Sequence, residues 1–129
     1  MGTSTDAILV YGIECGEDGV PEFMEGFDDF DDYLDDLSGL PKWGEAGHDF
    51  VKQKAFRESF PVSMTMHCSY EYPMYIVAVR GTETIASRGY ANEITSIAVD
   101  EEKISAFKEF CEKNGIEGQP KWLLCSMWG

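Results

Sequence analysis

The sequence predicts an α+β domain, a mainly antiparallel sheet of about five or six strands with two main helices on one face. Two stretches carry apolar residues at helical spacing, over 21–38 and 100–115. Several others alternate or cluster β-branched and aromatic residues, as strands do. Their order along the chain, β-α-(irregular)-β-β-β-β-α-β, argues for two layers, with helices on one side of the sheet. A length of 129 residues suits one domain, 1–129, able to bury its own core. The 43% apolar and 13% aromatic content argues against disorder.

The run DAILVYGIEC, Asp6 to Cys15, reads as a first strand, central because it is apolar on both faces. GEDGVP at 16–21 reads as a turn, with Pro21 suited to the first turn of a helix. Phe23, Phe27, Phe30, Leu34 and Leu37 then recur at intervals of four and three, predicting an amphipathic helix over 21–38. Ser38, Gly39 and Pro41 end it. WGEAGHD reads as loop, and FVKQKAFRES as a short helix or an irregular crossover.

Val62, Met64, Met66, Cys68 and Tyr70 alternate with Ser63, Thr65, His67 and Ser69, which predicts a strand with one apolar and one polar face. MYIVAVRG at 74–81 is a second strand, forming a hairpin with it across Tyr72-Pro73. Thr82–Ala86 and Glu93–Val99 are further candidate strands. Asp100 caps a second helix that buries Ile104, Phe107, Phe110 and Cys111 and closes at Asn114-Gly115. KWLLCSMW is the closing strand, expected beside the first in the middle of the sheet.

The charge is segregated. Residues 1–41 hold 12 acidic side chains and no lysine or arginine, whereas 42–129 hold 12 acidic and all 10 basic ones, so the formal charge divides −12 against −2. Glu22, Glu25, Asp28, Asp29, Asp31, Asp32, Asp35 and Asp36 cover the side of the 21–38 helix opposite its apolar stripe. On one continuous helix they would span roughly 22 Å, a charge every ~3 Å against ~3.4 Å per phosphate on a DNA strand. Such a face either is merely solvated or engages a basic partner surface, nucleic-acid mimicry being one form of the second. It also repels nucleic acid and anionic lipid, so neither is expected as a direct partner.

Thr5-Asp6-Ala7-Ile8-Leu9-Val10-Tyr11-Gly12, followed by Cys15 and an acidic GED, resembles the start of a group of small tailed-bacteriophage proteins with a TDAIL-(apolar)-YG opening. Ile13 and Glu14 stand where that group has aromatic residues. The resemblance implies a phage origin and action in the cytoplasm of an infected host; it implies no function and transfers no catalytic motif, an anti-defence role being one form of the acidic-face reading.

Other chemistry is poorly served. DDFDDYLDD lacks the glycine and loop character of an EF-hand. Cys15, Cys68, Cys111 and Cys125 are scattered, with no CxxC or HxxxH spacing and no secretory signal ahead of them, and read as reduced thiols. No metal, cofactor or catalytic residue is assigned, and an enzyme is not the expected class. The reading carried forward is a cytoplasmic protein that binds, and inhibits, a host protein with a basic surface. It would use Glu22, Glu25, Asp28, Asp29, Asp32, Asp35 and Asp36, with Trp122 and Trp128 as interface anchors. One rival is a small enzyme or ligand-binding protein with a pocket near His67, Arg80 and Arg88; a homo-oligomeric structural role is another.

Overall fold

A computed structural model of the chain describes residues 5–15 and 21–128. β1 (Thr5–Glu14) is followed by a single 3-10 turn (Glu22–Met24), α1 (Phe30–Ser38) and α2 (Phe50–Ser59). β2 (Val62–Ser69), β3 (Pro73–Val79) and β4 (Thr84–Ala86) come next, then α3 (Glu101–Lys113) and β5 (Lys121–Trp128). The α+β class is as expected. Among the described residues the sheet has five strands and is mainly antiparallel, as expected, with one parallel pairing, while the α-helices number three where two main ones were expected.

The sheet order is β3-β2-β5-β1-β4, and β3 also pairs with β1. These pairings close a circuit of β1, β5, β2 and β3, with β4 added beside Ala7–Leu9 of β1. β1 and β5 do lie side by side, antiparallel over eight residue pairs from Thr5↔Trp128 to Gly12↔Lys121. The β2–β3 hairpin also forms as predicted, Val62 facing Val79 and His67 facing Met74.

Because side chains alternate along a strand, the sheet buries two separate clusters. Tyr11, Ile13, Val77 and Val79 point towards α1 and α3, meeting Phe30, Leu34, Phe107 and Phe110. Ile8, Val10, Ile76, Ala78 and Met127 pack on the opposite face. Burying each such side chain contributes about 1.5–3 kcal/mol, so neither layer is dispensable. The circuit closes where Gly12 meets β3: a Cβ there would sit 2.3 Å from the Val77 carbonyl oxygen and 2.8 Å from the Ala78 Cα.

Three sequence expectations are corrected. The 21–38 helix is broken: Gly26 adopts φ 93°, and Asp29 is extended and accepts a hydrogen bond from the Asp32 amide, so the α-helix starts only at Phe30. Short acidic side chains satisfy free amides at a helix start better than they sit inside a helix, which explains the break. Second, 93–99 contains no strand, and β4 covers only Thr84–Ala86. Third, the polar face of β2 is enclosed at its centre: Thr65 and His67 are buried on the inner side of the circuit, while Ser63 and Ser69 are half-buried. The predicted 16–21 turn lies outside the described residues except for Pro21, which precedes the 3-10 turn.

Candidate functional site

The acidic segment is anchored from beneath by aromatic packing. Tyr33 meets Phe23 and Phe27 edge-on, each at a ring-centroid distance of 5.3 Å, and stacks on Phe30. Its hydroxyl donates to Asn114 Oδ1 at 2.7 Å, tying α1 to the end of α3. Tyr33 falls outside the predicted apolar stripe, while Leu37, inside that stripe, is 42% exposed. The helical period over-reads a segment whose first half is not helix.

Above this base, Glu22, Glu25, Asp28, Asp29, Asp31 and Asp36 are exposed, and Asp32 is half-buried. Asp35 departs from the expected outward set. Its side chain is only 12% exposed and accepts from Arg57 Nε at 3.1 Å and Nη2 at 2.9 Å, a two-pronged pair joining α1 to α2. The hydrogen bond to Asp35 is the main cause of the raised Arg57 pKa, which burial opposes and Asp31, 3.5 Å from the guanidinium, reinforces. Lys42 reaches Asp36 at 3.3 Å. Among the described residues, no other lysine or arginine pairs with this segment. Since α1 has nine residues, about 14 Å long, an unbroken 22 Å ladder of carboxylates does not exist.

A groove of about 440 Å³ opens beside the acidic segment, where it meets β2 and β3. Met64, Met66 and Tyr75 line it along the sheet, and Met24 and Phe30 from the segment itself. Asp28, Asp29 and Asp31 form its edge. Sequence reasoning missed this feature because it joins residues some 40 positions apart, and the only local hint is the Met64/Met66 repeat.

Trp122, Leu124 and Trp128 share one face of β5. Leu124 and Trp128 stand 78% and 64% exposed on the outer side of β5, an apolar strip with Trp122. Trp122 is less free, since it packs edge-on against Tyr11 across the β1–β5 pair at 5.3 Å.

The rival pocket does not assemble. His67 lies five residues along β2 from Val62, roughly 17 Å away, whereas Arg80 sits at the Val62 end. Arg80 donates to the carbonyls of Phe60 at 2.8 Å, Val62 at 2.7 Å and Arg57 at 3.3 Å, holding the end of α2 to the sheet. Arg88 is exposed. Burial, the largest cause in each case, raises the pKa of Cys15, Cys125 and Cys111, the last to about 11, which disfavours their reactive thiolate forms. All four cysteines are free, and no group of three metal-binding side chains occurs among the described residues.

His67 is 8% exposed, and its Nε2 has no hydrogen-bond partner among the described residues. Burial lowers its pKa from 6.5, and the charge of Glu14 partly opposes this. Glu83 bonds the Thr65 hydroxyl, two residues along the same face of β2. The unfolded chain therefore takes up the histidine proton first as pH falls, so stability drops as pH falls through about 6.5 towards the lower folded value. Urea midpoints at about pH 7.5 and 5.5 should differ less for His67→Gln than for the parent chain; an equal difference would contradict a buried neutral imidazole.

No helix among the described residues is long and apolar enough to cross a membrane. Comparison of the chain with protein-family models, with curated proteins and with solved structures finds no match.

Proposed function

We propose that this protein binds a basic surface on another protein through the exposed carboxylates of residues 22–36, and so blocks whatever polyanion that surface normally engages. One observation carries this reading: six exposed carboxylates stand on a segment fixed by buried Phe30, Tyr33 and Leu34, with only Arg57 and Lys42 as paired cations among the described residues. Unneutralised charge held on a packed support loses little conformational freedom on binding and attracts a cationic partner over about a Debye length. The resemblance to tailed-phage proteins suggests a host protein as that partner. Even phosphate-like spacing along a single rod is not part of the proposal, because Gly26 and Asp29 interrupt the helix.

The test is charge removal without loss of fold. Asp28, Asp29, Asp32 and Asp36 changed together to Asn should leave the thermal transition close to that of the parent, since asparagine also caps helices. Affinity for an oligolysine peptide should fall at least about tenfold. Undiminished binding would defeat the proposal.

A further inference from the structure

We infer that the groove beside the acidic segment is a docking site for a basic protein segment that inserts one apolar side chain between flanking lysines or arginines. This rests on the proposed acidic-face binding and specifies its partner. Met64 and Met66 are half-buried, as is Tyr75, so an apolar surface is left open to solvent rather than covered by a helix. Methionine is flexible and polarizable, which lets such a surface adapt to side chains of different shape. A volume of about 440 Å³ falls in the range of pockets that hold small ligands or side-chain anchors.

The edge decides the class of occupant. Asp28, Asp29 and Asp31 are exposed there, and among the described residues none of them is matched by a cation except Asp31, which Arg57 approaches at 3.5 Å. Arg80, the groove's own cation, has Nε and Nη2 committed to three backbone carbonyls, which leaves Nη1 alone to face three carboxylates at the edge. Anionic ligands would meet carboxylates, and a neutral apolar ligand would gain nothing from them. A second copy of this chain, at a net −14, would be repelled. A segment that is apolar at one position and basic around it satisfies both floor and edge.

The experiment uses the intact protein and two synthetic peptides of identical lysine and arginine content, one with a central leucine and one with serine in its place. Titration calorimetry should show the leucine peptide binding about tenfold tighter. Methyl NMR of the methionines should show Met64 and Met66 shifting with the leucine peptide far more than with the serine peptide. Equal affinities would overturn the groove as a docking site while leaving acidic-face binding intact. Failure of both peptides to bind would overturn both. Tighter leucine binding accompanied by shifts around Leu124 and Trp128, but not at Met64 and Met66, would also overturn it, placing the anchor on β5.

Discussion

Gly12→Ala should cost about 3 kcal/mol or more of folding stability, the largest effect expected of any single methyl added to this protein. The new Cβ would lie 2.3 Å from the Val77 carbonyl oxygen and 2.8 Å from the Ala78 Cα. Both are backbone atoms, and neither can rotate away as the end of a side chain could. Gly12 pairs with Ala78 where β3 meets β1, so relief requires the strands to part at the point that closes the circuit. Ile76 and Ala78 of β3 would then move away from Ile8 and Val10, opening the inner cluster. Gly26→Ala is the control. Its surroundings are open, so only the positive φ is strained, and the loss should be about 1 kcal/mol. Urea unfolding of both variants checks this. A Gly12→Ala loss no greater than that of Gly26→Ala would mean the strands do not approach so closely.

Asp35→Ala should destabilise by about 2–3 kcal/mol, between the ~1 kcal/mol of an exposed pair and the ~3–5 of a fully buried one. Arg57 keeps 24% of its side-chain surface accessible and Asp31 nearby, so it is not left wholly uncompensated. It would still lose a two-pronged partner at 2.9 and 3.1 Å, and α2 its polar tie to α1. The double change Asp35→Leu with Arg57→Met removes both charges and should recover most of the loss, because breaking one half of an ion pair costs more than replacing it. A loss under about 0.5 kcal/mol for Asp35→Ala would show that solvent already screens the pair.

Asp35 also shows where sequence reading stopped. Its place in the acidic run gave it the same reading as its neighbours, since helical phase alone does not reveal that Arg57, 22 residues on, waits on α2. The strands with strong local patterns, β1, β2, β3 and β5, were legible, as were the Asp100 cap and the Phe107, Phe110 and Cys111 face of α3. The break at 25–29 was legible in principle, through Gly26 and an aspartate three residues before Asp32, but the regular phenylalanine spacing outweighed it. That spacing persists because Phe23, Phe27 and Phe30 all pack on the Tyr33 ring, so the same residues pack without a continuous helix.

His67 was misread for a different reason. Alternation identifies two faces of a strand, yet only the closure of β1, β5, β2 and β3 makes the second face an interior. Closure depends on pairings between distant strands, which local sequence does not encode. The groove escaped notice likewise, being assembled from the acidic segment and the hairpin.

Binding of oligolysine by two charge-matched variants tests the acidic-face account most directly. One carries asparagine at Asp28, Asp29, Asp32 and Asp36; the other carries glutamine at Glu101, Glu109, Glu112 and Glu117, exposed residues on and just after α3. Both lose four negative charges, so net charge alone predicts equal weakening. The account predicts at least about a tenfold loss of affinity for the first and less than about threefold for the second. Equal losses, or none in the first, would contradict it.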